Sequence, residues 1–128
     1  MAFLLDTNVL IWLCQEVGAI PKPTLEVLEN TSETLWLSSI SVWEICQKHG
    51  RGKLLLPDSP QDLITYARDN FRIETLPFKE SDCYRFFTLP ELHRDPFDRM
   101  LICQAIQNNL TLVTSDRAIR QYPIATIW

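Results

Sequence analysis

The sequence predicts a doubly wound α/β fold, a three-layer sandwich in which helices flank both faces of a mainly parallel central sheet. The first observation behind this prediction is that short apolar runs of strand length alternate with longer segments of helical periodicity. The second is that polar residues typical of helix starts directly follow several of these runs. Strands that alternate with helices are joined by right-handed crossovers, which makes neighbouring strands parallel and places helices on both faces.

The first half of the chain is predicted to contain two strands and three helices. Each strand is an apolar run that leads into polar residues favouring a helix start. Prolines 21 and 23 separate the first two helices, and Gly50 ends the third. In chain order the elements are a strand at 2–5, helices at 7–15 and 24–30, a strand at 34–37 and a helix from 38–41 to about 49.

The second half is predicted to contain four helices and three strands. A Ser-Pro step at 59–60 and an Asp-Pro step at 95–96 mark the starts of two helices, since proline suits the first helical position. Asn108 and Asn109 end the longest helix, and Pro123 ends the last. In chain order the elements are a helix from 59–62, a strand at 71–76, helices at 79–88 and 95–107, a strand at 110–114, a short helix from 115–116 and a strand at 124–127.

Bulk properties fit one compact domain over residues 1–128. The net charge of −4 and the pI of about 5.1 argue against binding nucleic acid through a broad basic surface. The longest apolar run is far shorter than the roughly 20 residues that cross a bilayer, so we expect a cytoplasmic protein. The four cysteines lack paired metal-ligand spacing and are expected to be small buried apolar residues in a reducing compartment.

Four acids lie near predicted helix starts. Asp6, Glu44 and Asp116 follow strands, and the carboxyl ends of parallel strands meet at one edge of the sheet, where ligands bind in such folds. Asp98 joins them if its helix begins at the same edge. We therefore expect these four carboxylates to converge on one candidate site.

Helix capping is the alternative explanation for each acid taken singly, because carboxylates stabilise helix N-termini by about 0.5–2 kcal/mol. Ser41 and Glu44 match a capping box, and Asp95 matches an N-cap with Asp98 at the third helical position. Taken together, carboxylates about 4 Å apart repel by roughly 4 kcal/mol per pair at an effective dielectric of 20. A hard divalent cation such as Mg²⁺ or Mn²⁺ would compensate, and phosphodiester hydrolysis is chemistry that it supports.

Other chemistries receive less support. The chain has three glycines and no glycine-rich phosphate loop, which argues against a nucleotide cofactor. The only histidines, His49 and His93, accompany no serine or cysteine nucleophile pattern, so we interpret both as surface or helix-end residues.

Four segments carry a resemblance to a known family. They are Leu4-Leu5-Asp6-Thr7-Asn8, Ser41-Val42-Trp43-Glu44-Ile45, the run from His93 to Ile102, and Leu112-Val113-Thr114-Ser115-Asp116. Together they resemble the PIN-domain ribonucleases of the VapC toxin type. Each piece is short, but their order, spacing and the chain length make the resemblance specific over nearly the whole sequence.

The resemblance implies a PIN-like fold and a Mg²⁺- or Mn²⁺-dependent endoribonuclease that hydrolyses RNA phosphodiester bonds. It assigns the metal-binding and catalytic roles to Asp6, Glu44, Asp98 and Asp116, with Asp95 as an adjacent auxiliary acid. It also implies that supporting residues orient the carboxylates and water. Hydrogen bonds at helix starts explain the presence of these polar residues equally well. These residues are Thr7, Asn8 and Ser115.

The resemblance further implies a homodimer and a cognate antitoxin whose C-terminal segment lies along a groove near the acids. Trp12 and Trp43 have the size for such a groove, but tryptophans near helix starts more often fill the core, and we expect that here. Basic residues near the acids are candidates to contact RNA, with ordinary surface charge as the alternative. They are Lys48, Arg51, Lys53, Arg94, Arg99 and Arg117.

Two alternative functions remain open. One is a catalytically silent PIN-like module that binds RNA or protein, and the intact acids at all four positions argue against it. The other is an aspartate-nucleophile phosphatase, in which an aspartate also follows the first strand. That chemistry needs a second aspartate two residues later, where this chain has Asn8.

Overall fold

A computed structural model describes residues 2–128. Its centre is a five-stranded sheet in the order β3-β2-β1-β4-β5, in which every recorded strand pair is parallel. This confirms the predicted α/β fold with a mainly parallel sheet. The strands are β1 (Phe3–Leu5), β2 (Leu35–Ser38), β3 (Ile73–Leu76), β4 (Thr111–Val113) and β5 (Thr126–Ile127).

Six α-helices and two short 3₁₀ helices connect these strands within the described residues. Capping agrees with the sequence at two of them, because Ser59 and Asp95 are N-caps followed by proline in the first turn. The α-helices are α1 (Thr7–Gln15), α2 (Lys22–Asn30), α3 (Ser39–Gly50), α4 (Pro60–Asn70), α5 (Glu80–Thr88) and α6 (Pro96–Asn108). The 3₁₀ helices are Val17–Ala19 and Ile119–Gln121.

Two local predictions need correction, and one short element was not predicted. Helix α2 begins at Lys22 rather than at Thr24, because Pro23 is accommodated in the first turn, where its missing amide costs no hydrogen bond. The helix expected from Asp116 is only the 3₁₀ turn from Ile119, although the Asp116 side chain still accepts the amides of Ala118 and Ile119. The 3₁₀ helix that precedes α2 was not predicted from the sequence.

The core lies on both faces of the sheet, and β1 contributes to both. Phe3 and Leu5 belong to one apolar cluster, while Leu4 belongs to the other. Successive side chains of a strand point to opposite faces, so a strand covered on both sides has to be apolar at every position. This explains the uninterrupted apolar run that identified β1 in the sequence.

Strand register aligns the carboxyl ends of the three central strands. Leu5 of β1 is level with Leu37 of β2 and with Val113 of β4. The next residues along the chain, Asp6 and Thr114 among them, therefore emerge together at one edge of the sheet. This edge carries the candidate site.

Two burial predictions were wrong. Both Trp12 and Trp43 were expected in the core, but Trp43 is 55% exposed. Trp12 does pack against the core, and against Trp128 at a ring-centroid distance of 5.6 Å. The four cysteines are all free, and Cys46 and Cys83 are exposed rather than buried. Cys46 and Cys83 lie in helices, and helical periodicity alone does not determine which face of a helix another element covers. Among residues 2–128, no helix has both the length and the apolar character needed to span a membrane.

Candidate metal centre

Asp6 lies at the centre of the carboxyl edge of the sheet, directly after β1. It is 6% exposed, and its Oδ2 accepts a 2.7 Å hydrogen bond from the hydroxyl of Thr114. Burial raises the pKa of Asp6 from 3.8 to about 6, against the opposing effect of hydrogen bonds from Thr114 and the Thr7 amide. The negative charges of Glu44 and Asp116 add to this rise, so both carboxylates lie near enough to Asp6 to disfavour its ionised form.

Glu44 reaches the same site from the second turn of α3. It is 4% exposed, and both of its oxygens have partners: Thr7 Oγ1 donates to Oε1 at 2.7 Å, and Lys48 Nζ lies 2.6 Å from Oε2. The hydrogen bond to Glu44 raises the pKa of Lys48. The capping-box interpretation of Ser41 and Glu44 was wrong, because α3 begins at Ser39 and Ser38 is its N-cap.

Asp98 and Asp116 face each other across the imidazole of His93. His93 Nε2 lies 3.0 Å from Asp98 Oδ2 and 3.0 Å from Asp116 Oδ2. Asp98 lies in the first turn of α6. This helix begins at the same edge of the sheet, which is the condition on which the predicted place of Asp98 in the site depended. The other oxygen of Asp116 accepts the amides of Ala118 and Ile119 and so shapes the loop after β4.

The two acids on either side of His93 have opposite pKa shifts. Burial raises the pKa of Asp98 to about 7, with the charges of Asp6, Asp95 and Glu44 adding to the rise and that of His93 opposing it. Burial acts in the same direction on Asp116. There, however, hydrogen bonds from His93 and from two backbone amides outweigh burial and lower the pKa.

Asp95 has a helix-capping role in the structure. Its Oδ1 accepts the amides of Phe97 and Asp98, which confirms the N-cap interpretation of the Asp95-Pro96 step. Its charge still contributes to the field at Asp98. Its part as an auxiliary acid stays a prediction.

Comparison with known proteins identifies the fold family. The family model described as the PIN domain matches residues 3–125, nearly the whole chain. The chain belongs to the PIN domain family. PIN domains are generally nucleases, and they usually use divalent metal ions.

Solved structures with low sequence identity share this PIN fold. VapBC2 from Rickettsia felis, bound to a promoter DNA fragment, matches with a TM-score of 0.75 and 22% identity, covering 99% of this chain and 98% of that one. DNA-bound VapBC from Salmonella typhimurium matches with a TM-score of 0.69 and 22% identity over 99% and 97%. The PIN domain endonuclease Utp24 matches with a TM-score of 0.56 and 18% identity over 99% and 85%. No curated protein is similar enough in sequence to match this chain.

The donors in this PIN domain fit a hard divalent cation. Carboxylate oxygens are the ligands that Mg²⁺ and Mn²⁺ prefer, and Asp6, Glu44, Asp98 and Asp116 supply them from four different segments. Burial and mutual repulsion raise the pKa of Asp6 and of Asp98, so the fully ionised cluster is unfavourable on its own. A divalent cation held by these oxygens would offset that repulsion.

The predicted supporting residues divide into contacting and peripheral groups. Thr7 is buried and donates to Glu44, as expected of a residue that orients a carboxylate, whereas Asn8 is exposed and Ser115 is half-buried. Thr114, whose hydroxyl donates to Asp6 and accepts the Asp116 amide, was not predicted as a site residue. Its position between β4 and the acid was the only available signal.

His93 is the most consequential residue that the sequence analysis misjudged. It was expected to be a surface or helix-end residue, and it does lie two residues before the N-cap of α6. It is not a surface residue, because its side chain is 15% exposed and lies between two of the four acids. Its position just before the helix that carries Asp98 was the available signal that it lies near the acids.

The six basic residues occupy different environments. Lys48 pairs with Glu44, while Arg99 donates to the Leu89 carbonyl and stacks over Phe86 with 4.4 Å from its guanidinium carbon to the ring centroid. These contacts tie Arg99 to the protein rather than to solvent. The remaining four are exposed, and they are Arg51, Lys53, Arg94 and Arg117.

Proposed function

We propose that this PIN domain is a Mg²⁺- or Mn²⁺-dependent endoribonuclease that hydrolyses RNA phosphodiester bonds. The observation that carries the proposal is the convergence of four carboxylates at the carboxyl edge of a parallel sheet, two of them with a raised pKa. Burying acids against one another is costly for folding, so their placement is best explained by the cation that they would bind.

The four acids would act as metal ligands, and neighbouring side chains would fix their orientation. Thr114 directs one oxygen of Asp6, and Thr7 directs one oxygen of Glu44. Lys48 balances the charge of Glu44 from the solvent side. A bound divalent ion would supply an activated water molecule and would stabilise negative charge on the phosphoryl oxygens.

An aromatic pair beside the acids, formed by the exposed Trp43 and the half-buried Phe97, supports RNA as the substrate. Trp43 precedes Glu44 and Phe97 precedes Asp98, and their rings meet edge-on with centroids 5.3 Å apart and an interplanar angle of 73°. Unstacked bases of single-stranded RNA bind on such rings, each worth about 1–3 kcal/mol. Arg94 and Arg117 are exposed beside the segments that carry the acids and are suited to contact phosphates.

We also propose that the chain is the toxin of a toxin–antitoxin pair, forms a homodimer and acts in the cytoplasm. Several structures with the same fold are described as VapBC or toxin–antitoxin complexes, which supports a protein partner. Tyr84 and Phe87 are exposed one turn apart on α5 and offer apolar area for an interface. Four free cysteines suit a reducing compartment.

The deciding experiment is cleavage of total cellular RNA by the purified protein in Mn²⁺ or Mg²⁺. The proposal expects metal-dependent cutting that chelator abolishes and that Asp6→Asn removes. Asp58→Asn is the matched control, because it makes the same chemical change at an exposed acid. Equal cutting by wild type and Asp6→Asn would point to a contaminating nuclease.

The same preparation tests the alternatives. Binding of RNA without cutting in any metal would favour the catalytically silent module. Co-expression with the neighbouring reading frame tests the antitoxin, since a cognate partner should copurify and suppress cleavage. Light scattering of the isolated chain then distinguishes a dimer from a monomer.

A further inference from the structure

His93 lies between two of the proposed metal ligands, and two roles are consistent with its distances alone. Its Nε2 is 3.0 Å from one oxygen of Asp98 and 3.0 Å from one oxygen of Asp116. These three atoms lie within 4.8 Å of one another, a spacing that could hold a metal ion. The imidazole could therefore be a third ligand, or it could donate a hydrogen bond that holds the carboxylates.

The other ring nitrogen distinguishes these roles. The backbone amide of Asp95 donates to His93 Nδ1 at 3.1 Å. An amide N–H can only donate, so Nδ1 must present its lone pair and carry no proton. The proton of the neutral imidazole is then on Nε2 and faces the carboxylates. A nitrogen that carries a proton has no lone pair for a metal, so this tautomer excludes ligation through Nε2.

The backbone around His93 is held in place from the opposite side. The hydroxyl of Tyr122, a residue 3% exposed, accepts the amides of Leu92 and His93 at 3.0 Å each. It donates its own proton to the Pro90 carbonyl at 2.7 Å. Three hydrogen bonds on one buried hydroxyl fix the loop before α6, and with it the direction of the imidazole.

We propose that His93 is a positioning residue of the metal centre, which donates Nε2–H to the facing oxygens of Asp98 and Asp116 and does not bind the metal. The inference rests on the proposed function only in taking these acids as metal ligands. The facing oxygens of the two acids come from different segments and lie within 4.8 Å of each other, so a donor between them keeps their other lone pairs aimed at a common point. Its role resembles that of outer-shell groups that orient ligands in metalloenzymes.

The first test reads the tautomer directly and needs no variant. Long-range proton–nitrogen correlation spectra of nitrogen-labelled protein, in alkaline buffer and with or without saturating Mg²⁺, distinguish the two neutral forms of each histidine. His49 is an internal control of the opposite kind, because its Nδ1 lies 3.0 Å from the Leu54 carbonyl and must carry the proton. We expect Nε2–H at His93 in both conditions. A proton that moves to Nδ1 when Mg²⁺ is added would identify His93 as a ligand and overturn the proposal.

The second test compares His93→Gln with His93→Ala by calorimetric titration of Mn²⁺ in the absence of RNA. Glutamine places an amide donor near the original Nε2, whereas alanine removes the donor. We expect the alanine variant to bind Mn²⁺ about 10- to 100-fold more weakly and the glutamine variant to recover most of that loss. RNA cleavage should follow the same order through kcat, with KM little changed. An alanine variant that binds Mn²⁺ as tightly as wild type would overturn the proposal.

These readouts distinguish this proposal from the function on which it rests. Wild-type protein that binds Mn²⁺ but cuts no RNA would refute the nuclease and leave the role of His93 supported by the titrations. Wild-type protein that binds no Mn²⁺ would refute both. Circular dichroism of each variant checks that the fold is retained.

Discussion

Replacing Asp6 with asparagine should stabilise the metal-free protein at alkaline pH while removing its activity. Asp6 has a pKa of about 6 in the folded state against 3.8 in the unfolded chain. At 1.36 kcal/mol per pH unit, ionising this buried carboxyl costs the folded state about 3 kcal/mol. Asparagine has nearly the same shape, carries no charge and can still accept the Thr114 hydroxyl.

The sign of the pH dependence follows from the same shift. Because the folded state holds the Asp6 proton more tightly, the contribution of Asp6 to the free energy of unfolding is highest below the unfolded pKa of 3.8 and falls as the pH rises through about 6. The asparagine variant lacks this titration. Its advantage should be small at about pH 4 and should approach 1–3 kcal/mol at about pH 8, less than the full ionisation cost because the new amide is itself buried.

Urea unfolding in chelator, at about pH 4 and about pH 8, measures this difference. Asp58→Asn is the control for the loss of one negative charge, because Asp58 is exposed and should show little effect at either pH. If Asp6→Asn is no more stable than wild type at the higher pH, then the buried charge is not the source of instability that we infer. The argument that a cation compensates it would lose its main support.

Three further predictions use the same preparations. Mg²⁺ at a hundredfold its dissociation constant should add about 2.7 kcal/mol to the stability of wild type and almost none to that of Asp6→Asn. An unchanged melting temperature of wild type in Mg²⁺ would weaken the metal-site hypothesis. Mn²⁺ affinity measured by calorimetry should rise between about pH 5 and about pH 8. The pKa values of about 6 for Asp6 and about 7 for Asp98 mean that the metal must displace protons at the lower pH. An affinity that does not change with pH would contradict this. Trp43→Ala should raise the KM for RNA about tenfold and leave the Mn²⁺ affinity unchanged. The control Tyr66→Ala, at an exposed aromatic on α4, should leave the KM unchanged. Equal effects of the two variants on KM would remove the case for base stacking.

The sheet was predictable because its signals are local. Residues 3–5 are apolar at every position, as a strand buried on both faces requires, and the residues after each central strand are polar. Parallel pairing then brings the segments after the strands to one edge, so the convergence of Asp6 and Asp116 followed from topology alone. Asp98 needed one further condition, the start of α6 at that edge. The Asp-Pro cap predicted where this helix begins in the sequence, but not at which edge of the sheet.

The parts that escaped prediction depend on contacts distant in sequence. The place of His93 is set by the hydroxyl of Tyr122, 29 residues later, and no local pattern encodes that pairing. Trp43 was assigned to the core because its type favours burial, but the face of α3 that becomes covered is decided by neighbouring helices. The capping-box motif at Ser41 misled for a different, local reason, since Ser38 also suits an N-cap and the helix begins two residues before Ser41.

The central position of β1 has a consequence for when the acid cluster comes into being during synthesis. This first strand lies between β2 and β4, and Asp6 is bound by Thr114, 108 residues further along the chain. At about 5–20 residues per second, a ribosome needs about 5–20 s after making Asp6 to supply that partner. A nascent or prematurely terminated chain therefore leaves β1 with one edge open and lacks Asp116 altogether. The acid cluster can therefore assemble only after the last strands have been synthesised.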